Sequence, residues 1–279
     1  MSRLMNTVGI PAGKLYRFQN RPERLWPNAV DINFSGTTIT SSATPHAVGA
    51  WTELIAVTSG EVDWLSLHIN ATASSAVDTR ALVDIGIGAA AAEVMVVSSL
   101  PAGFTILEDS SKPVPGPIRF PLQIPKGSRI SARLRALIAS ETAVITTNTL
   151  FGGLRCGSVV DTYGADTAAS QGTALPTTNT YVEFTAATTD PYQALVLLPS
   201  GCAGTAYTTT AATHSLAIGP AAAETVIATQ EVQTHTSETI RETCGPTIYV
   251  GNVPKGTRLA VKTSVGSTFR GAIVLGIRY

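Results

Sequence analysis

Two stretches of this chain occur twice, in the same order. Ile85-Gly86-Ile87-Gly88-Ala89-Ala90-Ala91-Ala92-Glu93 returns as Leu216-Ala217-Ile218-Gly219-Pro220-Ala221-Ala222-Ala223-Glu224. Ile124-Pro125-Lys126-Gly127-Ser128-Arg129-Ile130 returns as Val253-Pro254-Lys255-Gly256-Thr257-Arg258-Leu259. A weaker landmark, Trp51-Thr52-Glu53-Leu54 against Tyr181-Val182-Glu183-Phe184, keeps the order. Each displacement is about 130 residues, too long for a solenoid or propeller unit and right for a whole small domain. The 279 residues must therefore hold two copies of one domain, each able to bury its own core.

With 44% hydrophobic and 14% charged residues the chain is foldable and its surfaces are built from Ser, Thr, Gly and Ala. Nineteen basic residues balance nineteen acidic ones, so the chain lacks the field of a protein that tracks phosphate backbones, and nucleic acid is not an expected partner. The longest apolar stretch, Ile85 to Val97, is Gly/Ala-rich and interrupted by Glu93. It is too short to cross a bilayer, so no membrane insertion is expected. Residues 1–24 scatter Arg and Pro where a signal peptide needs a continuous apolar run. Cys156, Cys202 and Cys244 form no CxxC motif; they read as free thiols, with a Cys202–Cys244 bridge as the alternative.

Strand grammar fills both copies. Leu65, Leu67 and Ile69 alternate with Ser66, His68 and Asn70, and Ile130, Ala132, Leu134 and Ala136 alternate with Ser131, Arg133 and Arg135. No helical period of any length survives. The expected fold is all-β: two tandem β-sandwiches, jelly-roll-like by preference, preceded by an extended N-terminal arm. The expected bounds are an arm over residues 1–40, a first sandwich over 41–157, a linker over 158–180 and a second sandwich over 181–279. The arm carries Arg3, Lys14, Arg17, Arg21, Arg24 and Trp26 among other apolar residues, which suits anchoring on a partner better than a solvated tail.

In Pro-Lys-Gly-[Ser/Thr]-Arg, Pro125 with Gly127 and Pro254 with Gly256 read as a type I turn closing a hairpin. That leaves Arg129 and Arg258 over. Equivalent in the two copies, they are expected to pair with carboxylates of the same domain or a neighbouring subunit. Glu93 and Glu224 repeat in step, as do Glu53 and Glu183. Repetition of this kind points to framework rather than catalysis, and neither pair has a second carboxylate nearby in sequence to act as acid and base. His46, His68, His214 and His235 are too dispersed for a metal motif, and no GxSxG, GxxxxGK[ST], GxGxxG or DxDxDG occurs. The expectation is a non-enzymatic chain without cofactor or metal. Trp26, Trp51 and Trp64, with Tyr163, Tyr181, Tyr192 and Tyr207, could form a sugar-stacking platform. For Trp51, a core or rim position is the better reading, because Tyr181 repeats it.

Asp84-Ile85-Gly86-Ile87-Gly88 and Phe120-Pro121-Leu122-Gln123-Ile124-Pro125-Lys126-Gly127-Ser128-Arg129-Ile130 resemble segments common in structural proteins of tailed bacteriophages. The Thr/Ala/Gly-rich, low-charge texture is similar to phage capsid-decoration and fibre proteins. The resemblance covers both repeats and leaves the arm unmatched. It implies a virion component made in the bacterial host cytoplasm, either a capsid decoration (cement) protein or a capsid or tail appendage. Such a protein would assemble as a homo-oligomer, a trimer by preference, with the arm on the major capsid or tail protein. The alternative is a carbohydrate-binding host-adsorption module that meets host surface glycans.

Overall fold

The computed structural model describes residues 28–72, 80–102, 118–151, 157, 159–201, 210–235, 238–242 and 247–278. Among the described residues the first copy has eight strands: β1 (Asn28–Thr40), β2 (Thr52–Ile55), β3 (Val62–Thr72), β4 (Ala81–Ile87), β5 (Val94–Pro101), β6 (Ile118–Ile124), β7 (Ile130–Ala136) and β8 (Thr142–Phe151). They form two antiparallel sheets, A in the order β1-β8-β3-β6 and B in the order β2-β7-β4-β5. Only β4 to β5 stays within a sheet; every other connection crosses from one sheet to the other. That wrapping is the eight-strand jelly roll.

The second copy comprises β9 (Val159–Tyr163), β10 (Ala165–Asp166), β11 (Gln171–Leu175), β12 (Val182–Thr185), β13 (Tyr192–Gly201), β14 (Thr210–Ile218), β15 (Thr225–His235), β16 (Glu238–Glu242), β17 (Thr247–Val253), β18 (Leu259–Thr263) and β19 (Ser267–Arg278). Sheet C runs β10-β11-β19-β13-β17, with β9 also paired to β19, and sheet D runs β12-β18-β14-β15-β16. Sheet C repeats A and sheet D repeats B, and β16 pairs with β15 at the edge of D. Register repeats too: Leu67 lies opposite Thr147 in copy 1, and Leu197 lies opposite Val274 in copy 2.

Two sequence-based boundaries change. The last part of the expected arm, 28–40, is β1, an edge strand paired with β8. The expected linker, 158–180, contains β9, β10 and β11, of which β9 and β11 pair with β19. The two errors have one origin. Asn33 faces Thr147 and Thr37 faces Ile145, while Tyr163 faces Val274 and Thr173 faces Ala272. Strands β9 and β11 are therefore the two halves of β1, and the duplicated unit starts upstream of its first conserved landmark. Where β1 only shifts register, copy 2 inserts the small β10 hairpin. Residues 1–27, which include Arg3, Lys14, Arg17, Arg21, Arg24 and Trp26, and all three cysteines lie outside the described residues.

Each sandwich closes on the alternation read from sequence. Leu65, Leu67 and Ile69 of β3 and Ile130, Ala132, Leu134 and Ala136 of β7 are buried between A and B; Leu195, Leu197, Leu216, Leu259, Val261 and Val274 do the same between C and D. The two sandwiches also share apolar packing. Val160, Ala194, Val196, Leu198, Ile273, Leu275 and Ile277, on the face of C turned away from D, belong to one cluster with the core of copy 1. The copy 1 strand nearest to them is β5, against β9 and β13. Unlike sheets meet, so the copies are docked head to tail.

Polar contacts rim this interface. Thr162 Oγ1 donates to the Ser98 carbonyl at 2.6 Å. The inserted hairpin reaches copy 1 directly: His46 Nδ1 meets Ser170 Oγ at 3.0 Å, Arg80 donates to Gln171, and Arg135 Nη1 donates to the Thr167 carbonyl at 3.4 Å.

Candidate functional site: a clasp built twice

The left-over arginines are spoken for. Arg129, just ahead of β7, donates from Nε to Glu53 of β2 at 2.7 Å and from Nη1 to Glu93, ahead of β5, at 2.7 Å. Arg258 does the same with Glu183 at 2.6 Å and Glu224 at 3.0 Å. Of the two expected pairings, the intradomain one forms. The planar guanidinium suits it, since its donors point toward two carboxylates at once. One arginine thus ties the edge strand β2 to the turn that leads into β5, across the width of the sheet. The side chains of Glu93 and Glu224 are only 2% and 8% exposed.

The carboxyls of Glu93 and Glu224 are both held below the usual glutamate range. The hydrogen bond from Arg129 is the main cause holding the Glu93 carboxyl below the usual glutamate range. For Glu224 its own main-chain N–H leads, with Arg258 contributing. In turn Glu53, then Glu93, raises Arg129, and Glu183 raises Arg258. A carboxyl whose folded pKa is depressed stabilises in full above its unfolded value, about 4.3 for Glu. That stabilisation is lost as pH falls through the folded value. A Glu93→Gln/Glu224→Gln variant is therefore expected to melt several degrees below the wild type at pH 7. The gap should close as pH drops below about 4. Thermal melts across that range check it, and a gap that does not change with pH would contradict the clasp.

The Pro-Lys-Gly turn differs from the sequence reading in two ways. It joins β6 in sheet A to β7 in sheet B, so it is a corner between sheets and not a hairpin. Its closing bond runs from the Ser128 N–H to the Pro125 carbonyl at 3.3 Å, which makes Pro125 the first residue and Gly127 the third. With φ of +83° at Gly127 and +82° at Gly256, it is a type II turn, whose third position needs glycine. What holds the corner is Thr58, in the connection from β2 to β3 that crosses in the opposite sense. Its Oγ1 donates to the Pro125 carbonyl at 2.9 Å and accepts from the Ser128 N–H at 3.0 Å. Thr188 makes the same pair of bonds, to the Pro254 carbonyl at 3.0 Å and from the Thr257 N–H at 3.0 Å. Sequence reasoning missed this threonine. Extending the Trp51/Tyr181 landmark by seven residues would have found it, since Ala56-Val57-Thr58-Ser59 and Ala186-Ala187-Thr188-Thr189 align.

The outward faces of B and D carry a second repeated pair. The Arg133 guanidinium lies 4.5 Å from the Trp51 ring centroid, and Lys262 Nζ lies 4.8 Å from that of Tyr181. Arg133 also pairs with Asp84 at 2.8 Å, and Asp84 accepts the Ser99 N–H at 2.9 Å. Both rings are half-buried, each with a cation over it, in line with the rim reading. Among the described residues no single platform gathers the aromatics. Tyr163 and Tyr192 meet edge to face in copy 2, with centroids 6.0 Å apart. Tyr192 is fully buried, donates to Asp161 at 2.8 Å, and is pushed well above the usual phenol range, chiefly by burial. Trp64 lies apart on sheet A, and Trp26 and Tyr207 are outside the described residues.

Among the described residues, no three His, Cys, Asp or Glu side chains come together in a group able to hold a metal. His46 is bonded to Ser170, His68 looks outward from sheet A, and His214 is buried in β14. No described helix is long and apolar enough to cross a membrane.

Comparison with known proteins adds little. No family model matches the chain, and no curated protein matches it. Among solved structures, the tandem CBM22-1-CBM22-2 domains at the N-terminus of Xyn10C from Paenibacillus barcinonensis align over 91% of this chain and 95% of theirs, at 12% identity and a TM-score of 0.20. A likeness at that level carries no argument about what this chain does.

Proposed function

We propose that this chain is a non-enzymatic structural component of a tailed-phage virion, a capsid decoration protein or an appendage of the head or tail. In this reading copies of the chain associate as a homo-oligomer, and residues 1–27 hold it to the major capsid or tail protein. The observation that supports it most is where the repeated charges go. Glu53, Glu93 and Arg129, like Glu183, Glu224 and Arg258, are engaged in bracing one jelly roll. What was duplicated is a braced shape. Jelly rolls recur in viral capsid proteins and also in lectins, and fold alone does not choose between them.

One observation favours the adsorption reading: Trp64 and His68 stand half-exposed on sheet A beside Asn148 and Thr146. An aromatic ring among hydrogen-bonding side chains on a sheet face is a surface a sugar could meet.

A single experiment separates these readings. Particles are assembled with the full chain, with a chain lacking residues 1–27, or with none, and are then analysed by quantitative mass spectrometry and host-adsorption assays. The truncation must stop short of Asn28, because removing β1 would open the first sandwich. The expected result is the full chain at fixed stoichiometry and the shortened chain folded but left behind. Absence of the full chain from particles would overturn the virion reading. Particles that assemble normally without the chain but fail to adsorb would favour glycan binding.

A further inference from the structure

The two jelly rolls share Leu65/Leu195 and Leu67/Leu197 on the inner face of these strands and differ on one outer face. The register of sheets A and C equates Trp64, Ser66 and His68 of β3 with Ala194, Val196 and Leu198 of β13, and Thr146, Asn148 and Leu150 of β8 with Ile273, Leu275 and Ile277 of β19. In sheet C all six are apolar and buried against copy 1. In sheet A four of the six are polar, and Trp64, His68, Thr146, Asn148 and Leu150 remain half-exposed on the two central strands. A central strand buried on both faces reads as a continuous apolar run, and one with a wet face alternates. Here the two patterns occupy equivalent strands.

Head-to-tail docking joins unlike surfaces, so nothing in its geometry limits it to one step. Repeat stacks stop where the last unit turns a polar face outward. We infer that the outer face of sheet A is such a stop: it repeats the strand register of the docking face, and its polar side chains, with Trp64 in the place of Ala194, keep a second copy of this chain from adding to the stack. The six-residue insertion that forms the β10 hairpin supports this independently. It supplies Thr167, Ser170 and Gln171 to the rim of the internal interface, and β1 of copy 1 has no counterpart. Thus the first jelly roll lacks both the apolar face and the latch. The inference does not depend on whether the chain rides on a particle.

Exchanging the two faces in the full chain tests it. The first variant carries Val196→Ser, Leu198→His, Ile273→Thr and Leu275→Asn, giving copy 2 the side chains of copy 1. It is expected to undock, with a larger radius of gyration in small-angle scattering and strand content kept in circular dichroism. Unchanged compactness overturns the inference. The second variant carries Trp64→Ala, Ser66→Val, His68→Leu, Thr146→Ile and Asn148→Leu and remains informative even if the first does not fold. It is expected to associate reversibly beyond the wild-type mass in light scattering over about a tenfold concentration range, in whole-chain steps. Either an unchanged mass or aggregate without defined stoichiometry overturns the inference.

Discussion

Replacing Leu275 by Ala is expected to cost about 3 kcal/mol, while Asn148→Ala, at the equivalent position of the first copy, stays within about 0.5 kcal/mol of the wild type. The two residues sit on homologous strands, in the same register against β13 and β3. Leu275 is fully buried between the sandwiches, so truncation removes apolar contact and leaves a cavity that packed neighbours on both sides cannot readily fill. Asn148 is half-exposed and gives up little on truncation. Urea unfolding of both variants checks the contrast. Equal losses would mean that the face of C does not pack as described.

Thr58→Val is expected to cost about 1.5 kcal/mol, Thr188→Val the same, and the double variant about 3, because each change removes both hydrogen bonds that the hydroxyl makes to the corner and the sites are too far apart to couple. Valine keeps the shape of threonine, so cavity formation does not confuse the result. Thr58 is 0% and Thr188 2% exposed, which leaves water little room to replace the lost bonds. Each threonine ties two oppositely directed crossings of its sandwich together, and loosening one should speed amide exchange at the corner residues first. Denaturation midpoints with residue-level hydrogen exchange measure both effects. A neutral outcome in either copy would show that the Pro-Lys-Gly corner stands without its threonine.

Much of this was legible from sequence. Alternation placed β3 and β7 and named the residues that meet in the core, and the repeated Pro-Lys-Gly, Ile-Gly and Trp/Tyr landmarks located the clasp and its carboxylates. What alternation could not show was where a turn leads. Pro-Lys-Gly marks a turn without fixing its type, and a type II turn, whose twist splays the strands of a hairpin, suits the corner that Thr58 holds. The edges of the repeat were hidden for a similar reason. Edge strand β1 and its split counterpart β9 and β11 share only the short match of Val30-Asp31 with Val160-Asp161 before a hairpin interrupts the second copy. One signal was present and unread. Ala194-Leu195-Val196-Leu197-Leu198 is unbroken where Trp64-Leu65-Ser66-Leu67-His68 alternates, and that difference marks the interface between the copies.

The position of β19 has a consequence for synthesis on the ribosome. Copy 1 has every described strand once Phe151 has been made, so it can close while copy 2 is still being built. The face that copy 2 must hide is completed only when Ile273, Leu275 and Ile277 emerge, later than everything they pack against. That apolar surface is thus finished after the copy 1 strands it packs on, and a finished template is already waiting beside it. Reversing the order of the two copies would expose that surface for the whole time needed to translate the other, and such a permuted chain should be found in inclusion bodies.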